Sequence, residues 1–406
     1  MDFNDTAEEA AYRAKVRAWL GANAPKRTGR PDNGLEDPAS MDDARAWQRK
    51  KAEAGYACIT WPKEWGGGGG ASWQSVIFGQ EEAKFETPGN PFAIGLGMCV
   101  PTVMTVGNQA DKERFVRPAT RGEEIWCQLF SEPAGGSDVA AARTRAVRDG
   151  DGWVINGQKV WTSGAHYSDF GLLLARTDPD VPKHKGLTMF WIDMRAPGVE
   201  VRPIHQMSGA SNFNEVYFTD LRIADSQRVG EVGAGWATSL VTLMNERLAI
   251  GGGGGAGHRT VLKLAQEIQT LAGPAARDAG LREKIAEWFV QAEGLKYTRY
   301  RTRTALSRGQ TPGPESSIGK VVSATLMQDM AAVALDLEDQ FGIISDPATA
   351  PLAGGFQTAL MNAPGLRIAG GTDEILRNII AERVLGMPQD VRLDKGVAFK
   401  DIPTGR

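Results

Sequence analysis

At 406 residues the chain is long enough for two or three domains and a large buried core. Its formal charge of −3 is spread without long like-charge runs, which excludes the basic face that nucleic-acid binding needs. Three cysteines (Cys58, Cys99, Cys127) and four histidines (His166, His184, His205, His258) show neither metal-ligand nor disulfide spacing, so a reducing compartment and no bound metal are expected.

The first twenty residues are acidic and amphipathic, unlike a signal or transit peptide. No apolar run approaches the roughly 20 residues of a membrane span. A soluble, cytoplasmic protein without a membrane span is expected. Tyr12, Val16, Trp19 and Leu20 recur at helical spacing until Pro25 stops the helix. A polar loop over about 26–40 follows. Helical patterns then cover about 42–54, 72–86, 91–106 and 110–119, giving an all-α N-terminal domain over 1–123. The segment Trp61-Pro62-Lys63-Glu64-Trp65-Gly66-Gly67 between them reads as a rigid turn pinned by two aromatics. The stripe Met98, Cys99, Val100, Val103 reads as plain core.

From Glu124 to Val229 the apolar period changes from helical to two. Strands are expected over 127–131, 144–148, 153–155, 170–176, 187–194, 199–203 and 214–218, separated by turns rich in Gly, Asp and Asn. Among these turns, 149–152 and Asn156-Gly157 read as hairpin turns. This predicts a middle antiparallel β domain over 124–230. Helical pattern returns at 236–248 and meets the glycines of 251–255, each of which costs about 1 kcal/mol in a helix relative to alanine. Either the helix breaks there or it continues against a close neighbour; continuation is the preferred reading. Leu281, Ile285, Trp288, Phe289, Ala292 and Leu295 mark the next helix, and another covers about 315–341. The last starts at Thr372 with Asp373 and Glu374 in its first turn, where acids suit the helix dipole. Ile375, Ile379 and Ile380 form its apolar face and Gly386 caps it. The C-terminal α-helical bundle is thus expected over 231–387, with a polar tail, 388–406, serving packing between subunits.

Two segments of the β domain carry the chemistry. The first, 127–138, reads CQLFSEPAGGSD: a short apolar strand, a Glu-Pro break and a glycine turn whose N–H groups are unscreened by side chains. The second, 159–164, reads KVWTSG, an aromatic beside small hydroxyl residues. Together and at this spacing they resemble the flavin-binding signatures of the acyl-CoA dehydrogenase family, and the resemblance extends from about residue 44 to residue 386. The order helices, sheet, helices is similar to that family's fold.

The resemblance implies an FAD-dependent enzyme that desaturates an acyl-CoA thioester and passes electrons to an electron-transfer flavoprotein. It implies that Gln128, Phe130 and Ser131 meet the flavin ring from one strand, and Trp161 and Ser163 from another. Ser163 would bond the hydride-accepting nitrogen, and Ser137 would lie near the flavin phosphate and the thioester arm. Thr372 and Glu374 match residues that meet the adenine dinucleotide. The family's frequent base, a Glu in Tyr-Glu-Gly-Thr, is replaced here by Gly370 in Ala369-Gly370-Gly371-Thr372. The alternative base position, on the helix after the sheet as in isovaleryl-CoA and long-chain enzymes, is occupied by Glu246. Glu246 is therefore expected to be the base, Arg247 to anchor CoA, and the Gly370 N–H to polarise the thioester. No Arg-Lys-Thr-x-Phe-Gly pattern occurs around 258–269, and near 337–342 only Gln340 and Gly342 echo the family's Gln-x-x-Gly-Gly element. The cofactor's pyrophosphate site is thus incomplete. A homo-oligomer (dimer or tetramer) and a heteromer with a second chain of the same family both remain open, as do a mainly structural subunit and an oxygen-using flavoprotein on the same fold.

Overall fold

The computed structural model describes residues 5–25, 37–249, 257–307 and 313–403; the side chains of 246–249, 303 and 306–307 are outside that description. The chain divides into two units: Met1–His205 with Ser211–Ala249 and Arg392–Arg406, and Ile250–Val391 with Gln206–Ala210.

The first unit begins with helices α1 (Ala7–Asn23), α2 (Pro38–Glu53), α3 (Ser72–Glu82), α4 (Val100–Val106) and α5 (Gln109–Thr120). Thr6 caps α1 through a capping box with Glu9, and Asp37 caps α2 with Pro38 at its first position. Val16, Leu20, Trp47, Tyr56, Ile59 and Phe78 bury a common core. Trp19 stacks on Trp47, and Tyr56 on Phe78. The Trp-Pro turn is a short 3-10 segment, Lys63–Trp65. Its glycines are steric: a Cβ at Gly67 would lie 2.3 Å from the Trp61 carbonyl oxygen. The expected helix over 91–106 is one π-helical turn, Gly95–Cys99, running into α4. Met98, Cys99, Val100 and Val103 are all buried as plain core.

An eight-stranded sheet follows: β1 (Trp126–Leu129), β2 (Arg145–Asp149), β3 (Gly152–Ser163), β4 (Phe170–Arg176), β5 (Leu187–Asp193), β6 (Val199–Ile204), β7 (Phe213–Ala224) and β8 (Arg228–Val229). Their order is β6-β7-β3-β2-β4-β5-β8, and β1 pairs with β4. Most pairs are antiparallel, but β1 runs parallel to β4, as does the single pair Arg145–Arg176 between β2 and β4. Strand β4 is buried on both faces, which is why it reads as an unbroken apolar run. Leu172 and Leu174 pack with α4, α5, Trp126 and Phe130. Leu173 and Ala175 join Cys127, Leu129, Trp153, Ile155, Val216 and Phe218 on the other side. Helix α6 (Gly235–Ala249) leaves the sheet and ties back to α4 through a buried Thr102–Thr242 hydroxyl contact of 2.9 Å.

One feature of this unit departs from expectation, and another was not foreseen. Asn156-Gly157 is not a hairpin turn: β3 runs through it, and a register shift between Ile155 and Gly157 absorbs the irregularity. The polar tail, expected to serve packing between subunits, also packs within its own chain. Its segment 392–403 lies on this unit's own sheet domain, with the Phe399 N–H donating to the Val181 carbonyl and the Lys400 N–H to the Pro179 carbonyl.

The second unit contains α7 (His258–Glu267), α8 (Ala279–Ser307), α9 (Ser317–Glu338), α10 (Gly355–Ile368) and α11 (Asp373–Arg383). Val261, Leu264, Ile285, Trp288, Leu326, Met330, Ala334 and Phe356 form its core. Phe289, expected in that core, is 46% exposed. The segment Pro314–Ile343 is long and apolar enough to cross a membrane by composition, contrary to the sequence expectation. Met330, Ala331 and Ala334 on it are nonetheless buried in the helical core. Helix α10 was not expected at all. The glycines of 251–255 lie outside the described residues. The chain thus has an N-terminal helical domain, a middle β-sheet domain and a C-terminal helical domain.

Candidate active site

Both signature segments lie in the first unit, and the fold brings them together. The Val160 N–H donates to the Ser131 carbonyl at 3.0 Å. Beneath this contact Lys159 is fully buried, its Nζ 2.8 Å from Glu132 Oε1 and 3.0 Å from the Phe130 carbonyl. Glu132 also accepts the Arg143 N–H at 2.6 Å and the Thr144 N–H at 2.9 Å. One carboxylate therefore closes the glycine turn onto β2 and, through Lys159, onto β3. Burial would raise the Glu132 carboxyl, but the Lys159 charge and hydrogen bond and the two backbone donors outweigh it and hold it low. For Lys159 burial prevails and pulls its ammonium below the usual range. The two directions differ in sign of preference for the charged pair. The geometry, with every polar atom of the pair engaged, favours the ion pair.

Past Lys159 the strand bulges. Its register on β7 shifts between Lys159 and Thr162, and Trp161 sits at φ +59°. A tryptophan in the left-handed region is strained by about 1–3 kcal/mol, and such strain concentrates at functional sites. The bulge turns the Trp161 ring outward, 58% exposed and edge-on to Phe213. Regular pairing resumes immediately: Asn214 Nδ2 donates to the Thr162 carbonyl at 2.9 Å, and Ser163 faces Phe213. Gly164, at φ +65°, has a steric reason to be glycine, since a Cβ would lie 2.5 Å from the Tyr167 ring.

The glycines of the first segment have no such reason. Neither Gly135 nor Gly136 has a positive φ. A Cβ at Gly136 would meet nothing within 4 Å among the described residues, and one at Gly135 only the Asp138 carbonyl oxygen at 3.5 Å. Backbone bonds between Glu132 and Gly135 hold the turn closed. This is an open backbone surface of the kind a flat or anionic group can approach. Along β1, Gln128 lies on the face of Trp126 and Phe130 and is partly exposed, whereas Phe130 is buried. Ser131 and Ser163 are half-buried, and Ser137 is exposed. Helix α6 carries Glu246 and Arg247, whose side chains lie outside the described residues.

In the second unit, Gly370 and Gly371 take φ +66° and +93° ahead of α11. Thr372 caps that helix, its hydroxyl accepting the Ile375 N–H at 3.2 Å. Glu374 is exposed, and its carboxyl is held low by its own backbone N–H and by the Thr372 hydroxyl. Asp373 is buried and paired with Arg367 at 2.7 Å, so it serves this ion pair more than the helix dipole. Lys320 Nζ donates to the Gly371 carbonyl at 2.5 Å and holds the turn. The buried side of α11 is Asp373 and Leu376, while the expected apolar residue Ile375 is 37% exposed.

Sequence reasoning missed the roles of Glu132, Lys159 and Asn214. The available signal was a lysine inside the β3 strand pattern and a glutamate just after the β1 strand, 27 positions apart.

Three family models match in chain order: acyl-CoA dehydrogenase N-terminal domain over residues 6–123, middle domain over 127–221 and C-terminal domain over 233–385. Acyl-CoA dehydrogenase FadE34 of Mycobacterium tuberculosis is 36% identical over 383 residues; the match takes in 94% of this chain but only 52% of that protein. Acyl-CoA dehydrogenase IpdE1 of the same organism is 35% identical over 395 residues, covering 94% of this chain and 98% of that one. Among solved structures, one described as a Tcur3481-Tcur3483 steroid ACAD matches with TM-score 0.79 and 26% identity, over 96% of this chain and 100% of that one. The ChsE4-ChsE5 complex from Mycobacterium tuberculosis matches with TM-score 0.77 at the same identity and coverage.

Proposed function

The chain belongs to the acyl-CoA dehydrogenase family, and we propose that this oxidoreductase desaturates a steroid-bearing acyl-CoA thioester between its α- and β-carbons with FAD as cofactor. The observation that carries the cofactor reading is the strained, outward-facing Trp161 beside an open glycine turn, both tied to one buried ion pair. FAD, when bound, supplies the acceptor for the β-hydrogen leaving as hydride. Gln128, Phe130, Ser131 and Trp161 would hold its ring, and the Ser163 hydroxyl would donate to the nitrogen that takes the hydride. Ser137 would meet the phosphate and the thioester arm, and Thr372 and Glu374 the adenine dinucleotide.

Glu246 removes the α-proton, a task that needs a positioned base because a thioester α-carbon is weakly acidic. The replacement of the alternative base by Gly370 supports this assignment. The Gly370 N–H would stabilise the enolate oxygen, and such a donor acts most on the transition state, where that charge develops. Arg247 anchors CoA. Electrons pass on to an electron-transfer flavoprotein.

A second observation favours a heteromer. The solved relatives named above are each described by a pair of chain names, and nearly half of FadE34 lies beyond the match. A partner chain of the same family would complete the pyrophosphate site that this sequence lacks. The steroid group follows the relative described as a steroid ACAD.

Flavin per chain, measured on the protein alone and with a co-expressed family partner, tests both parts. Bleaching of the bound flavin by steroid-side-chain CoA thioesters, and not by straight-chain ones, is the expected outcome. A chain that acquires no flavin with any partner would make it a structural subunit. Rapid reoxidation by air after bleaching would favour an oxygen-using enzyme instead.

A further inference from the structure

The tail segment 392–403 lies on the loop between β4 and β5, whose Lys183 meets the same turn that the proposed function assigns to the cofactor. Lys183, on the loop between β4 and β5, has one ammonium and two carboxylates on it: Asp394 of the tail at 2.5 Å and Asp138 of the glycine turn at 2.6 Å. Its side chain is only 12% exposed. Beside it the Phe399 ring of the tail lies 3.7 Å from the Arg176 guanidinium carbon. Arg176 is itself buried and spends its donors on three carbonyls: Ala140 at 2.6 Å, Ala142 at 3.2 Å and Lys183 at 2.7 Å. Ala140 and Ala142 are the residues that carry the glycine turn from Asp138 back into β2. The tail backbone is pinned to the same loop by the Phe399 and Lys400 N–H groups and by a bridge between Pro182 and Ala398.

The tail therefore reaches the turn along two routes. Asp394 acts through Lys183 on Asp138, and Phe399 acts through Arg176 on Ala140 and Ala142. A polar tail that served only solubility would make neither contact, and one that served only subunit packing would not engage buried cations of its own chain. Lining the turn with glycines opens it to a ligand but also leaves it without side-chain packing of its own. The Glu132–Gly135 backbone bonds close one end of the turn, and these cations add restraint at its Asp138–Ala142 end.

We propose that the C-terminal tail is a clamp on the glycine-rich turn, with Lys183 and Arg176 as positioning residues that set the affinity of the site for FAD and for the acyl-CoA. The inference rests on the reading of this turn as part of the flavin site.

Hydrogen exchange on the full-length enzyme, with any partner it needs, tests it. The amides of Gly135, Ala141 and Ala142 all donate within the turn and report its opening. In Asp394→Asn and Lys183→Met these amides should exchange about tenfold faster, the lower end for losing a hydrogen bond between charged groups. The amides of β4 and β5 should not change, and Lys183→Arg should restore the native rate. Asp394→Asn is nearly isosteric on a partly exposed tail, so it keeps the test open if Lys183→Met fails to fold. Weaker FAD affinity and a raised KM in the same variants are expected to accompany the faster exchange. Unchanged exchange at the turn, or equal acceleration throughout the sheet, would overturn the clamp while leaving the flavin reading intact. Local acceleration with unaltered FAD affinity and KM would instead remove the turn from the flavin site.

Discussion

Replacing Lys159 by methionine removes the ammonium that joins the two signature segments and keeps most of the buried stem. The perturbation removes two contacts and keeps two. The bond to Glu132 is lost, the Phe130 carbonyl loses its donor, and Glu132 keeps the Arg143 and Thr144 N–H groups. Breaking a buried pair from one side costs about 3–5 kcal/mol because an uncompensated charge remains. With two backbone donors still on the carboxylate, Lys159→Met should fall at the lower end, about 3 kcal/mol. Removing both charges, as in Lys159→Met with Glu132→Leu, usually relieves such a loss. Here the relief should be incomplete, because the double variant leaves the buried Thr144 N–H unpaired at about 1–3 kcal/mol and frees the part-buried Arg143 N–H. Denaturant unfolding followed by tryptophan fluorescence measures the loss, with the first transition of a multidomain chain analysed separately. Flavin content should fall in the same variants. A destabilisation of Lys159→Met below about 1 kcal/mol, the range of exposed pairs, would refute the reasoning.

Three further outcomes are expected. Burial alone would raise Glu81, but hydrogen bonds from Arg17, Lys84 and Arg13 outweigh it and pull it from 4.5 down to about 2. Its folded value is the depressed one, so its stabilisation is full above about pH 4.5 and is lost as pH falls toward 2. Arg17 and Lys84 are more than half exposed, so roughly 2 kcal/mol is at stake after screening. Acid titration of the N-terminal helices should show that loss, and Glu81→Gln should remove roughly that share of the pH dependence in this window, other lowered carboxylates such as Asp5 supplying the rest. Ser163→Ala should fold, shift the flavin absorbance and slow flavin reduction by up to the roughly 2.7–4 kcal/mol of one transition-state donor; an unchanged spectrum and rate would place Ser163 away from the ring. The protein made without a partner should hold less than one flavin per chain, and full, salt-resistant occupancy in a homo-oligomer would remove the case for a heteromer.

The strands were legible because one-sided burial imposes period two, and β4 because two-sided burial removes it. The boundary inside β3 was misread because Asn-Gly is a strong hairpin signal, whereas a bulge absorbs it here. Helix α10 escaped notice because Pro364 lies inside it, Gly354 caps it and Gly355 is its first residue, so its helicity rests on packing of Phe356 and Ala363 more than on propensity. Trp161 and Ser163 stood out by motif, but the partner of Lys159 lies 27 residues away in sequence and only tertiary structure pairs them. The tail's contacts within its own chain were not legible for the same reason, since its polar composition says nothing of Lys183 and Arg176.

Glu246→Gln, mixed with a steroid-bearing acyl-CoA in a single turnover, tests the central claim most directly. It keeps size and removes the proton acceptor, so acyl-CoA should still bind while flavin bleaching slows by about 10²–10⁴-fold. Adding Gly370→Glu should restore only part of that rate, because a non-glycine residue at φ +66° is strained by about 1–2 kcal/mol. Near-normal bleaching in Glu246→Gln alone would contradict the account.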